Sequence, residues 1–66
     1  MKIELNGKEW ALKEGLTVQN LIDELKLDVK STAVAVNKTI VSKKTYTEFI
    51  LKENDKIDLV TIAPGG

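Results

Sequence analysis

Only one stretch of this chain carries apolar residues at helical spacing. Val18, Leu21, Ile22 and Leu25 fall at i, i+3, i+4 and i+7, which predicts one amphipathic helix of roughly two to three turns. Thr17 stands just before the stripe as an N-cap, and Leu16 is placed to staple onto Leu21. A lone short helix has no second helix to pack on, so its apolar face must lie on a sheet. The remaining chain is therefore read for strands.

Ile3 and Leu5 alternate with Lys2 and Glu4, Asn6-Gly7 supplies the positive-φ pair of a tight turn, and Trp10 and Leu12 alternate on the way back. This is a β-hairpin. Leu27 to Thr32 reads as connection, and Ala33 to Val36 is a short apolar run of the kind covered on both faces, hence an interior strand. Asn37-Lys38 offers a second turn into a brief strand at Thr39 to Val41. Ser42 is placed to cap a helical turn carrying Tyr46, Phe49 and Ile50. After a turn at Glu53-Asn54-Asp55, a last strand runs from about Lys56 to Ile62, with Ile57 and Leu59 on one face and Asp58, Val60 and Ile62 on the other.

The order β-β-α-β-β-(short helical turn)-β is the β-grasp pattern of an α+β domain. The expectation is a ubiquitin-like β-grasp with a mixed sheet of four to five strands, one main helix on one face and a short helical turn. The first and last strands should lie side by side and parallel, because a long crossover through the helix separates them. The 66 residues allow one domain, expected over 1–62, followed by a flexible tail over 63–66.

Composition removes most catalytic chemistry. There is no Cys and no His, so a nucleophilic thiol, a thiolate metal site and the usual neutral-pH base are all missing. Ten lysines balance ten acidic residues and there is no Arg, which leaves no long-range field and no bidentate fork to gather nucleic acid or an anionic membrane. Asp23-Glu24 and the pair Asp55 and Asp58 lack the spacing of a calcium loop, so no metal is expected. Trp10, Tyr46 and Phe49 would need a basic groove to stack bases, and core packing explains them better. Lys43-Lys44 fit either steering of an acidic partner or a solvated turn. No apolar run approaches a membrane span and no charged start leads into one, so a cytoplasmic protein is expected.

What remains is the closing Ala63-Pro64-Gly65-Gly66. Pro64 fixes its own φ and biases Ala63 toward extended backbone, so little freedom is lost when a partner grips the tail. Four extended residues reach about 13 Å. Gly65 and Gly66 have no Cβ, so backbone and carboxylate can pass a constriction closed to larger residues. A terminal carboxylate is ionised at neutral pH and a poor electrophile, so chemistry on it requires activation, for which ATP is the obvious source. Val60 and Ile62, with small Ala33 and Ala35 nearby, are candidates for a shallow apolar docking surface beside the tail.

Ala33 to Val41, then Tyr46, then Asn54-Asp55-Lys56-Ile57, and the closing Gly65-Gly66 together resemble the sulfur-carrier proteins of thiamine thiazole biosynthesis. The likeness extends from the opening hairpin through Gly15-Leu16-Thr17-Val18 to the last residue. It implies a co-substrate rather than an enzyme, with no bound cofactor. Gly66 would be adenylated by an ATP-using adenylyltransferase related to ubiquitin-activating proteins, converted to a thiocarboxylate with sulfur from a cysteine desulfurase system, and used by thiazole synthase. The chain departs from the family's frequent Asp-Gly-Asp by having Glu53-Asn54-Asp55, which Asn tolerates because it enters the left-handed region. Two alternatives share the fold: the small subunit of molybdopterin synthase, usually a longer chain, and a ubiquitin-like modifier or interaction module without sulfur chemistry.

Overall fold

The computed structural model describes residues 1–61, and residues 62–66 lie outside the described part. Five strands form one sheet: β1 (Lys2–Leu5), β2 (Lys8–Ala11), β3 (Thr32–Val36), β4 (Thr39–Ile40) and β5 (Lys56–Thr61), in the order β2-β1-β5-β3-β4. β1 and β5 are parallel, and the other neighbours are antiparallel. The last strand is thus the middle one, as the long crossover requires. Both tight hairpins follow from their turn residues. Asn6 and Gly7 take φ of 49° and 82°, and Asn37 and Lys38 take 52° and 69°, the double positive-φ turn whose twist matches the flanking strands. Asn54 also enters the left-handed region, with φ of 68°.

One helix, α1 (Val18–Glu24), lies on the sheet. Thr17 caps it reciprocally: Asn20 N–H donates to Thr17 Oγ1 at 3.1 Å, and Thr17 N–H donates to Asn20 Oδ1 at 3.0 Å. At its other end Lys26 takes φ of 56°, while Leu27 N–H donates to the Ile22 carbonyl and Lys26 N–H to that of Asp23. This is a Schellman ending with lysine in the place usually filled by glycine. The covered core joins Val18, Leu21 and Ile22 of the helix to Ile3, Leu5, Val34, Val36 and Ile57 of the sheet, with Val41, Tyr46 and Leu51 closing one end.

Several expectations require correction. Ala33 to Val36 is interior in its hydrogen bonding, yet only one face is covered: Thr32, Val34 and Val36 are buried, while Ala33 and Ala35 are half-exposed. Trp10 is not core, since 37% of its surface is accessible. It sits opposite Ile3 on the helix side of edge strand β2. A helix is about 10 Å wide and five strands span about 19 Å, so one helix cannot shelter both edges. The connection after the helix contains a 3₁₀ turn, Val29–Ser31, capped by Asp28, whose side chain accepts from Lys30 N–H. Ser42 caps a 3₁₀ turn at Lys43–Thr45, with Tyr46 buried just after it, Phe49 half-buried and Ile50 exposed. β4 ends at Ile40 rather than Val41.

Candidate functional site

The sheet face turned away from α1 is open, and register decides what it displays. Ala33 lies opposite Val60, and Ala35 lies between Asp58 on one side and Ile40 on the other. Partners across a ladder share a face, so Val60, Ala33, Ala35 and Ile40 form one apolar strip across β5, β3 and β4. Val60 is 58% exposed and Ile40 74%. On the other half of the same face stand Lys2, Glu4, Glu9, Lys56 and Asp58, all charged. The structure therefore brings together three of the four residues expected to form a docking surface, and the fourth, Ile62, lies outside the described residues. Ile40 was missed in the sequence reading. The signal was present: a two-residue turn at Asn37-Lys38 forces Ala35 opposite Ile40.

β5 delivers the chain to the site. It is flanked by β1 at Lys56 and Ile57, and by β3 along its length from Ile57 to Thr61. Asn37 fastens its start: Asn37 N–H donates to the Lys56 carbonyl at 2.7 Å and Lys56 N–H donates to Asn37 Oδ1 at 3.0 Å. Asn6 fastens its middle, accepting from Leu59 N–H at 2.8 Å through Oδ1. β5 is thus tethered on both sides before the chain passes to Ala63, Pro64, Gly65 and Gly66, which lie outside the described residues.

A concavity lies elsewhere on the molecule. An open groove lined by Ile40, Val41, Glu48, Phe49, Ile50 and Asp55 opens beside the start of β5. Asp55 there is already engaged, accepting from Lys52 N–H and from the Asn37 side-chain amide. A pocket is the default place to look for a small-molecule site, but chemistry carried on a chain end needs no pocket of its own. No group of three or more Asp, Glu, His or Cys able to hold a metal ion occurs among the described residues, and no helix there is long and apolar enough to cross a membrane.

A five-stranded mixed sheet with a parallel central pair and one covering helix defines a ubiquitin-like β-grasp fold. The ThiS family model matches residues 2–66, and the chain belongs to that family. It is 36% identical to the sulfur carrier protein ThiS of Bacillus subtilis, over 97% of this chain and 98% of that one. It is also 38% identical, over its whole length, to part of a thiazole synthase of Magnetococcus marinus, of which it spans only 20%. The crystal structure of a ThiS thiamine biosynthesis protein from Geobacter metallireducens superposes with a TM-score of 0.87 over the whole of both chains at 23% identity, a likeness of fold.

Proposed function

We propose that this chain carries sulfur on the carboxylate of Gly66 for the formation of the thiazole ring of thiamine. The observation that carries the reading is family membership over residues 2–66, joined to a fold in which the strand leading to the tail is central and tethered on both sides. The carboxylate attacks the α-phosphorus of ATP on an adenylyltransferase related to ubiquitin-activating enzymes, and pyrophosphate leaves. The acyl-adenylate is the electrophile that the bare carboxylate is not. The terminal sulfur of a persulfide charged by a cysteine desulfurase system then displaces AMP to form an acyl disulfide, and a thiol cleaves that S–S bond by taking the other sulfur into a new disulfide, leaving one sulfur where a carboxylate oxygen stood. Thiazole synthase takes that sulfur, a partnership favoured by the match to part of an enzyme of that name.

In this reading residues 1–62 are the handle and 63–66 the reacting arm, with Ala63, Pro64 and Gly65 threading the partner's active site. Val60, Ala33, Ala35 and Ile62, extended by Ile40, are the apolar surface on which partners dock. The ATP and the enzymes it requires place the work in the cytoplasm. The match to the ThiS family model and to the ThiS of Bacillus subtilis favours thiazole as the destination. The test is complementation: a bacterial strain lacking its own carrier, supplied with this chain and its cognate enzymes, grows without thiamine. The chain lacking Gly65-Gly66 fails to support growth. Equal growth with the truncated chain would refute the proposal.

A further inference from the structure

We propose that the open side of β5 at Leu59 to Thr61 seats one extended strand of the partner enzyme, held by backbone hydrogen bonds. The inference rests on the carrier reading, because it says how the enzyme that takes the tail grips the strand just before it. β1 pairs with β5 only at Glu4↔Lys56 and Leu5↔Ile57, whereas β3 accompanies β5 to Thr61. On the β1 side, β5 presents the polar backbone groups of its odd-numbered residues. Glu4 N–H donates to the Asp55 carbonyl and Asn6 N–H to that of Ile57, each at 2.9 Å.

The Asn6 side chain supplies the next acceptor in this series, taking Leu59 N–H at 2.8 Å, and the chain then turns away through Gly7. By strand alternation the following groups on this side are the Leu59 carbonyl and Thr61 N–H. Among the described residues no strand runs beside them. A single residue of a strand running parallel to β5, in line with β1, satisfies both: its N–H donates to Leu59 O and its carbonyl accepts from Thr61 N–H. In an antiparallel partner the residue donating to Leu59 O would set its own carbonyl against Leu59 N–H, which Asn6 already holds.

Exposed edges are normally blunted, and the outer edges of this sheet are. β2 carries Lys8 and Glu9, and β4 is two residues long. Leu59-Val60-Thr61 has no charge and no proline, and its residues favour strands. It also contains exposed Val60 and ends two residues before Ala63, so a strand seated there continues the docking surface toward the site of chemistry.

The test compares Thr61→Pro with Thr61→Val in binding to the cognate adenylating enzyme. Thr61 N–H faces away from β3, so proline removes the donor without breaking the β3 ladder, whereas valine changes the side chain and keeps the donor. We expect Thr61→Pro to bind at least about tenfold more weakly than Thr61→Val, through the lost bond and the partner acceptor left unpaired. Hydrogen exchange on the unmodified chain covers the case in which the proline variant does not fold: the Thr61 amide should slow on adding enzyme. Tight binding of the unmodified chain with equal affinities for the two variants, or with unaltered Thr61 exchange, overturns this inference and leaves the carrier reading intact. No binding by the unmodified chain overturns both. Slowing of Thr61 with rising concentration of the chain alone would put a second copy in the seat and also overturn it.

Discussion

Replacing Val60 with Asp tests whether the open sheet face is where partners dock. Burying a valine side chain completely contributes about 1.5–3 kcal/mol. Val60 is 58% exposed in the free chain, so docking can recover roughly 1–2 kcal/mol there. Truncation to Ala should therefore weaken binding to the adenylating enzyme about fivefold. Aspartate does more, because it leaves a carboxylate without a partner inside the interface, two residues from Asp58 on the same face. An uncompensated buried charge costs at least about 3 kcal/mol, which raises the expected loss to roughly a hundredfold or more. The free protein should tolerate the change, since an exposed strand position costs about 1 kcal/mol or less. Titration calorimetry with the enzyme, alongside thermal melting of the variant alone, separates the two effects. An unaltered Kd for a folded Val60→Asp chain would refute the assignment of this face. Ile40→Asp should behave likewise, because Ile40 completes the strip beside Ala35.

Three further outcomes follow from named contacts. Lys26→Gly should raise stability by about 1 kcal/mol, because Lys26 holds a φ of 56° that glycine adopts without strain; calorimetry should show Tm rising by roughly 4–8 °C, and an unchanged or lower Tm would contradict it. Thr17→Ala should cost about 1 kcal/mol by removing the cap on Asn20 N–H, whereas Thr17→Gly should cost only a few tenths; urea midpoints check the order. Ile22→Ala, at a fully buried helix position, should cost about 2–5 kcal/mol, enough to unfold much of so small a domain, and retained near-native melting would contradict the core described above.

Much of this architecture was legible because local chemistry and global topology agree. Asn6-Gly7 specified a hairpin by its conformation, Thr17 and the 18-21-22-25 stripe specified a capped helix, and the long crossover specified a parallel central pair. What stayed hidden depended on quantities that no local pattern carries. Trp10 looks like a core residue in its own alternation, and its exposure follows from how far one helix reaches across five strands. The apolar run at Ala33 to Val36 does not say that its alanine face lacks a cover. Asn6 reads as a turn former, and its second role, holding Leu59 N–H, depends on a residue 53 positions away. Of the candidate site, Val60 was found from alternation in the last strand and Ala33 and Ala35 as small residues near it, while Ile40 needed the hairpin register.

The central claim is that the reacting group is the carboxylate of Gly66, and intact mass spectrometry tests it most directly. The chain is incubated with ATP, a sulfur source and its cognate adenylating enzyme, then weighed. The account predicts a mass gain equal to one oxygen replaced by sulfur, absent when ATP is omitted or Gly66 deleted. An unchanged mass with a competent enzyme, or a gain that survives removal of Gly66, would contradict it.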